Sequence, residues 1–304
     1  MFESKGAPII SVKPIVLTAA GRGEDLQVRV SVPATGDRLP IIIFSHGYGW
    51  SSDGYGPLVD YWAAHGFAVI QPTHLDSRTL NLPPDDPRTP LIWRDRVEDL
   101  KRTLDQLDRI EASVPGLSGR LDRSRIAAAG HSWGGQTVSM LLGARVLDAN
   151  GEPGEDMSDS RILAGVLLAT TGLGGPDLTP FAAEHFPFMN PSFSGMRTPA
   201  LVAAGDRDQS LLSTRGPDWF TDPYYRSPGG KSLLTLYGAE HSLGGIAGYN
   251  VAETTDENPE RVALLSRVTW SYLRHALNLD DSGWLEARQA LEESSHPLGR
   301  IESK

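Results

Sequence analysis

A serine between two glycines is the residue of this chain best suited to covalent chemistry. Residues 130–134 read Gly-His-Ser-Trp-Gly, which places Ser132 in the pattern Gly-x-Ser-x-Gly. An apolar run at 126–129 precedes it, and a helix-compatible segment follows at 135–142. A strand, a sharp turn and a helix in this order can present a serine hydroxyl as a nucleophile. The glycines indicate a turn in which side chains two positions from the serine would collide with the neighbouring strand and helix.

A serine hydroxyl attacks well only when a base removes its proton, and a histidine held by a carboxylate usually supplies that base. Three histidines follow possible acids in the chain: His241, His275 and His296. His241 comes directly after an apolar run at 233–237, whereas His275 falls in a helical pattern and His296 in a polar segment. Catalytic side chains are presented where the strands of a parallel sheet end. We therefore predict His241 as the base.

Two aspartates compete to be the acid that orients this histidine. The apolar run at 200–204 leads into Gly205-Asp206-Arg207-Asp208. Asp206 suits a turn, where its carboxylate would accept backbone N–H bonds. We therefore favour Asp208 as the acid, with Asp206 as the alternative and Asp177 as a more distant one.

Short apolar segments alternate with amphipathic ones along the chain, which is the pattern of an α/β fold. The first two predicted strands alternate apolar and polar residues like an exposed antiparallel edge, and the later ones are continuously apolar like strands covered on both faces. We predict one domain over residues 1–304, with an about eight-stranded, mostly parallel sheet flanked by helices. The predicted strands are 15–18, 26–32, 41–44, 67–71, 126–129, 163–169, 200–204 and 233–237.

Two helices are predicted clearly. The first begins at Pro90 with Thr89 as its N-cap, because proline suits the first helical position. The second covers about 258–277, and residues 281–304 hold a short amphipathic piece followed by a polar segment. The apolar residues of the first helix recur every three or four positions and predict one core-facing stripe: Trp93, Val97, Leu100, Leu104, Leu107 and Ile110.

The composition is that of a globular protein, with 39% hydrophobic and 22% charged residues among 304. A net charge of −10 argues against nucleic acid or an acidic membrane surface as a partner. The chain has no cysteine, which excludes a thiol nucleophile, disulfides and thiolate metal sites. The N-terminal residues do not read as a signal peptide, and no run approaches ~18 apolar residues. We therefore expect a cytoplasmic protein without a membrane span.

Four segments resemble the α/β-hydrolase superfamily. Residues 131–135, His-Ser-Trp-Gly-Gly, are similar to the His-Ser-x-Gly-Gly of bacterial carboxylesterases related to chlorophyllase, platelet-activating-factor acetylhydrolase and dienelactone hydrolase. Residues 61–72 resemble the block in which a helix delivers the fourth strand of these families. The pair Gly47-Tyr48 and residues 205–208 also resemble bacterial cutinase-like polyester hydrolases. The chain departs from dienelactone hydrolases, which use a cysteine nucleophile, and from cutinase-like enzymes, which usually carry disulfides and an export signal.

The resemblance implies the α/β-hydrolase fold, in which the chain order of the site is serine, acid, histidine. It implies Ser132 as the nucleophile, His241 as the base, and Asp208 as the acid, since many members read Gly-x-x-Asp here. The tetrahedral oxyanion of ester hydrolysis needs two hydrogen-bond donors. The resemblance implies the backbone N–H of Trp133 as one and that of Tyr48, in the glycine-rich loop after the third strand, as the other.

Two long segments, 170–197 and 209–230, could cap a substrate pocket, because inserts after the later strands lie over the nucleophile. Their aromatic residues, with those of the loop after the third strand, predict an apolar pocket. The candidate substrate-binding residues are Trp50, Phe181 and Trp219, and the alternative is that these rings only anchor loops.

The function predicted from these residues is hydrolysis of carboxylic esters through an acyl-enzyme on serine, with apolar acyl or aromatic esters as small-molecule substrates. Lipase, thioesterase, polyester hydrolase and acyltransferase are alternatives on the same site, and a non-catalytic ligand-binding protein is the alternative of another class. We expect no cofactor, because serine supplies its own covalent intermediate. We expect no metal, since the chain has no His-Glu-x-x-His pair. The sequence leaves the oligomeric state open.

Overall fold

A computed structural model describes residues 6–83, 85–249, 251–280 and 282–304. In these residues nine strands form one sheet, in the order β1-β2-β4-β3-β5-β7-β9-β10-β11, and two short strands, β6 and β8, pair separately. The strands are β1 (Ile9–Leu17), β2 (Leu26–Pro33), β3 (Leu39–Ser45), β4 (Ala68–Pro72), β5 (Leu121–His131), β6 (Arg145–Val146), β7 (Ile162–Leu168), β8 (Pro191–Ser192), β9 (Ala200–Gly205), β10 (Lys231–Leu236) and β11 (Gly299–Ser303).

The centre of the sheet is parallel and its two edges are antiparallel. Strands β4, β3, β5, β7, β9 and β10 run parallel, whereas β1 and β2 on one side and β11 on the other pair antiparallel. The central strands are almost entirely buried, as expected for apolar strands covered on both faces. The prediction of a mostly parallel sheet flanked by helices is confirmed.

Helices cover both faces of the sheet. Neighbouring residues of one strand therefore enter different cores: Ile42 packs in the core that contains Leu58 of α1, while Ile43 packs in the core that contains Leu100 of α2. The first core also receives α7 and α8, and the second receives α3. The helices are α1 (Gly56–Ala64), α2 (Ile92–Asp105), α3 (Leu107–Ser113), α4 (Trp133–Leu141), α5 (Pro180–His185), α6 (Asp222–Tyr225), α7 (Pro259–Ala276) and α8 (Ser282–Glu292).

Two features differ from the sequence-based expectations. The helix predicted from Pro90 is a 3-10 turn at 89–91 followed by α2 and α3, and the Thr89 side chain does not cap it. The segment predicted as a polar end instead contains β11, which pairs antiparallel with β10. Only one side chain of β11, Ile301, is a large apolar residue, so the sequence carries little of the alternation by which strands are recognised.

The parallel strands end at the same edge of the sheet, and this arrangement brings distant segments together. Ser45 at the end of β3 pairs with Gly130 of β5, and Leu236 of β10 pairs with Gly205 of β9. The loops that follow β3, β5, β9 and β10 therefore meet at one edge, which is where open α/β sheets bind their ligands. Among the described residues, no helix combines the length and the apolar character needed to cross a bilayer.

Candidate active site

Ser132 lies in a tight turn between β5 and α4. Its backbone has φ 56° and ψ −121°, a combination that residues other than glycine rarely adopt. The Ser132 N–H donates to the carbonyl of Leu168 at 2.9 Å, and its own carbonyl accepts from Gln136 N–H in the first turn of α4 at 3.1 Å. These two bonds hold the turn from the neighbouring strand and from the helix, so the hydroxyl stands at the edge of the sheet.

The two glycines of the turn allow a backbone approach that no side chain would permit. A Cβ on Gly130 would overlap the carbonyl of Gly134, and a Cβ on Gly134 would overlap the carbonyl of Ser45 in β3. The obstacles are main-chain atoms, which cannot swing aside as a flexible side chain can. The glycines are therefore required by the close packing of β5, α4 and β3, as the pattern predicted.

The structure brings three of the predicted side chains into hydrogen-bond contact. His241 Nε2 lies 2.9 Å from Ser132 Oγ, and His241 Nδ1 lies 3.0 and 3.2 Å from the two carboxylate oxygens of Asp208. A carboxylate can only accept, so Nδ1 carries the proton and the lone pair of Nε2 faces the serine hydroxyl. This is the orientation in which an imidazole can remove a proton from serine.

The alternative acids lie elsewhere. Asp206 is exposed and accepts a bond from the Gly238 N–H at 2.6 Å, which ties together the turns after β9 and β10. Asp177 forms an ion pair with Arg215 at 2.9 Å. Of the three aspartates considered from the sequence, Asp208 is the one that contacts His241.

Asp208 and His241 differ sharply in exposure. The Asp208 side chain is fully buried, whereas 41% of the His241 side chain is accessible. Burial raises the pKa of the Asp208 carboxyl above its usual range, although the hydrogen bond from His241 opposes this effect. Water cannot readily compete for hydrogen bonds to a buried carboxylate, so Asp208 can hold the imidazole ring in one orientation. The exposed part of the ring remains accessible to a ligand.

The loop after β3 packs directly beside the serine. A Cβ added to Gly47 would lie 3.6 Å from the Cβ of Ser132. The ring of Tyr48 packs on that of Trp133, with 4.4 Å between centroids. Trp133 is the first residue of α4, and the first N–H groups of a helix have no acceptor within it. Both residues predicted as oxyanion donors are therefore neighbours at the mouth of the site.

Buried charged side chains hold the loop after β3 in place. Arg96 of α2 donates to Asp76 at 2.6 Å, to the carbonyl of His46 and to Thr137 of α4 at 3.1 Å. Asp76 in turn accepts the Gly49 N–H at 3.0 Å. Burial alone would raise the pKa of Asp76, but the charge of Arg96 prevails and lowers it to about 2. One guanidinium thus connects the loop after β3 with the helix that begins at Trp133.

A neutral histidine completes the support. His46 Nδ1 donates to the carbonyl of Gly47 at 2.7 Å, and its Nε2 accepts the His74 N–H at 3.0 Å. Burial, together with the charge of Arg96, lowers the pKa of His46 to about 4, so the ring is neutral near pH 7. The Gly47 carbonyl belongs to the same peptide unit as the Tyr48 N–H, and the bond from His46 fixes the direction of both.

Sequence reasoning did not find this network, although α2 carried a signal. Only the apolar stripe of this helix was predicted to face the core, yet Arg96 and Asp99 are 1% and 0% exposed. Arg96 lies four residues after Ile92 and four before Leu100. Asp99 lies three residues after Arg96 and four before the buried Thr103, so both side chains are on the side of the helix that faces the core. Asp99 pairs with Arg22 at 2.8 Å and contacts His74 Nδ1 at 3.1 Å.

Comparison with known proteins identifies the family. A model described as "Alpha/beta hydrolase family" matches residues 42–240, about two thirds of the chain. The chain belongs to the alpha/beta hydrolase family. It is also 30% identical over 156 residues to the platelet-activating factor acetylhydrolase of Cavia porcellus. That match covers 37% of this chain and 35% of the relative, so the chain matches about a third of that relative's length.

In this alpha/beta hydrolase, a groove of about 640 Å³ opens beside the serine loop. Tyr48 and Trp133 line it together with residues of the segment between β4 and α2 and of the segment after α5. Its rings pack against one another: Trp93 stacks on Phe188 at 5.9 Å, and Trp133 meets Phe188 edge to face at 5.3 Å. The volume lies within the range of small-molecule sites.

The residues predicted to bind substrate are not those that line the groove. Trp219 is fully buried and its indole N–H donates to the Leu173 carbonyl at 2.8 Å, which is the environment of a core residue. Trp50 packs partly buried against the core, and Phe181 is 55% exposed and stacks on His185. Trp93, predicted as part of the helical core stripe, packs partly buried against the core that contains Leu100 and also lines the groove.

Metal binding has no evident location in the described ranges. Within residues 6–83, 85–249, 251–280 and 282–304, no three His, Cys, Asp or Glu side chains are grouped so that they could hold an ion.

Proposed function

We propose that this protein is a serine esterase that cleaves carboxylic esters through an acyl-enzyme. The observation that carries the proposal is the contact series Ser132 Oγ, His241 Nε2, His241 Nδ1 and Asp208, with distances of 2.9 and 3.0 Å. The strained backbone of Ser132 supports it, because such strain is found where a side chain must be presented for chemistry.

In the first half of the reaction, Ser132 Oγ attacks the ester carbonyl carbon and its proton passes to His241 Nε2. The imidazolium that forms is stabilised by the Asp208 carboxylate. The carbonyl oxygen becomes an oxyanion, which the N–H groups of Tyr48 and Trp133 bind. When the tetrahedral intermediate collapses, the bond to the alcohol oxygen breaks and His241 gives its proton to the leaving alcohol.

In the second half, a water molecule takes the place of the alcohol. His241 removes a proton from this water as it attacks the acyl carbon, and the same two N–H groups bind the new oxyanion. Collapse breaks the acyl bond to Ser132, which regains its proton from His241, and releases the carboxylic acid. The 41% exposure of the His241 side chain gives water and alcohol access to the ring.

The aromatic groove supports esters with an apolar part next to the carbonyl. Because the groove is lined by Tyr48 and Trp133, the two residues with the proposed oxyanion N–H groups, we propose that it receives the substituent of a bound carbonyl, against Trp93 and Phe188. The relative named platelet-activating factor acetylhydrolase agrees with ester hydrolysis on this scaffold. We therefore propose small apolar acyl or aromatic esters as the substrate class.

Hydrolysis of p-nitrophenyl acetate and p-nitrophenyl butyrate by wild type and Ser132→Ala tests the proposal. Loss of the nucleophile is expected to lower kcat on the order of 10⁶-fold. A fluorophosphonate that labels the wild type at Ser132, read by mass spectrometry, identifies the nucleophile independently. Equal turnover by wild type and Ser132→Ala would disprove the serine mechanism, and a folded wild type without turnover of any ester in a graded panel would favour the ligand-binding alternative.

A further inference from the structure

A continuous hydrogen-bond chain runs beneath the site, from the loop after β3 to the loop of the histidine. The Gly47 N–H donates to the hydroxyl oxygen of Tyr55 at 2.9 Å. The same hydroxyl lies 2.9 Å from His131 Nδ1, and His131 Nε2 lies 2.8 Å from the backbone carbonyl of His241. Three segments that are distant in sequence, around 47–55, at 131 and at 241, are thus joined through two side chains.

The direction of every bond in this chain is fixed by chemistry. The His241 carbonyl can only accept, so His131 Nε2 carries the proton and donates. Burial lowers the pKa of His131 to about 3, so the ring is neutral near pH 7 and its Nδ1 accepts. The Tyr55 hydroxyl therefore donates to Nδ1, while its oxygen accepts from Gly47. Burial raises the pKa of Tyr55, which keeps this donor protonated.

The backbone of Tyr55 indicates that its ring is held in place at a cost. Tyr55 has φ 67° and ψ 23°, in the left-handed region that a bulky residue rarely occupies. It stands just before α1, is fully buried and packs on Phe44 with 4.7 Å between ring centroids. Its N–H donates to Ala247 at 2.7 Å, in the segment that follows the catalytic histidine of the proposed mechanism. Strain of this kind persists only where the surroundings enforce it.

We propose that Tyr55 and His131 are positioning residues that couple the loop at Gly47 and Tyr48, which carries a proposed oxyanion donor, to His241. The inference rests on the proposed function, because it concerns how that site is assembled. Tyr55 holds the peptide that precedes the oxyanion donor Tyr48, and His131 holds the backbone of the base. A displacement of either loop is therefore transmitted to the other, and the donor and the base keep one relative position in both halves of the reaction.

Three substitutions test the coupling, with kcat and KM for p-nitrophenyl butyrate as the measurement. Tyr55→Phe keeps the ring and removes the hydroxyl, and His131→Leu removes both nitrogens. Each is expected to lower kcat by roughly 10- to 100-fold with KM changed less than about threefold, since a misplaced oxyanion donor or base affects the transition state more than binding. His131→Gln, whose amide can still donate to the His241 carbonyl, is expected to retain more activity than His131→Leu.

Non-additivity separates coupling from two independent effects. The double variant Tyr55→Phe, His131→Leu is expected to be no slower than His131→Leu alone within about threefold, because one substitution already interrupts the chain. Tyr272→Phe is the matched control: its hydroxyl is buried on α7 and has no hydrogen-bond partner in the part of the chain that the structure describes. Its kcat is expected to stay within about twofold of wild type.

Several results would overturn the inference. Folded Tyr55→Phe and His131→Leu with wild-type kcat, multiplicative losses in the double variant, or losses confined to KM each contradict the coupling. Circular dichroism and thermal denaturation establish that each variant is folded, and if His131→Leu does not fold, the same cycle is read with His131→Gln. The Ser132→Ala variant keeps the two proposals distinct: an inactive Ser132→Ala beside an unaffected Tyr55→Phe contradicts only the coupling.

Discussion

The turn at Ser132 and the loop at Gly47 and Tyr48 lie side by side, but different forces hold them. The turn is fixed by backbone contacts, where Gly130 and Gly134 let β5, α4 and β3 approach closely. The loop is fixed by side chains from other elements, above all Arg96 of α2 and Asp76 after β4. The proposed nucleophile is thus positioned by backbone sterics, and the proposed oxyanion donor by a buried polar network.

This difference predicts that the turn tolerates substitution least. Gly134→Ala places a Cβ on the carbonyl of Ser45, and main-chain atoms must move to accommodate it. We expect it to lower the free energy of unfolding by more than about 4 kcal/mol, in the range reserved for severe structural defects. Urea denaturation at pH 7.5 measures the loss, and ester hydrolysis is expected to fall with it.

Gly216→Ala is the matched control, because it is a glycine-to-alanine change with no positive φ and only the Asp218 carboxylate at 3.8 Å from the new Cβ. It is expected to change the free energy of unfolding by less than about 1 kcal/mol. Similar stability of the two variants would mean that the turn is not limited by backbone sterics.

The loop at Gly47 and Tyr48 is predicted to be destabilised by loss of a buried charge, not by a steric clash. Arg96→Met keeps a long side chain but leaves Asp76 buried without its partner. Breaking a buried ion pair from one side costs about 3–5 kcal/mol, so we expect a loss of unfolding free energy of that size. The variant should also lose kcat, since the loop that carries the Tyr48 N–H is no longer held.

Arg94→Met is the control on the same helix, because Arg94 is 42% exposed and pairs with exposed Glu155. A surface pair contributes about 0–1 kcal/mol, so its variant should resemble wild type in stability and activity. Equal effects of the two arginine substitutions would show that the network does not support the loop.

Low pH is predicted to destabilise the network that holds the loop at Gly47 and Tyr48. His46 has a pKa of about 4 in the fold, under burial and the charge of Arg96, against 6.5 as the ordinary value. As the pH falls from about 6.5 towards 4, the unfolded chain therefore binds a proton that the folded chain does not. The free energy of unfolding decreases over this window, by about 3 kcal/mol from His46 alone, since each pKa unit is worth ~1.4 kcal/mol.

Urea denaturation at several pH values between 4 and 7.5 measures this slope. His46→Asn, whose amide can donate to the Gly47 carbonyl but does not titrate, is expected to flatten the slope relative to wild type. His74 and His131, whose pKa values burial also lowers, would contribute to the slope that remains. An unchanged slope in His46→Asn would contradict the assignment of His46 as a neutral buried ring.

The contrast between turn and loop also explains what could be predicted from the sequence. Ser132, Asp208 and His241 could be located because each follows an apolar run that becomes a strand of the parallel sheet. Asp76 and Arg96 could not, because they are 27 and 50 residues from Gly49 and His46, the positions that they contact. Strand β11 was missed for a related reason: its identity depends on pairing with β10 and hardly on its own residues.

Substitution of a single aromatic ring in the groove is expected to have the smallest effect on catalysis. Trp93 stacks on Phe188 in the groove wall. It is not part of the turn at Ser132 or of the network of Arg96 and Asp76. Trp93→Ala is expected to raise KM for p-nitrophenyl butyrate about three- to tenfold with kcat nearly unchanged, since one aromatic contact is worth about 0.5–1.5 kcal/mol. Trp270→Ala removes a partly buried tryptophan that bonds to His65 instead, and it controls for general loss of stability. A fall in kcat without a change in KM would contradict a role of Trp93 in substrate binding. It would indicate that Trp93 helps to hold the loop at Gly47 and Tyr48, so that the groove wall belongs to the support of that loop.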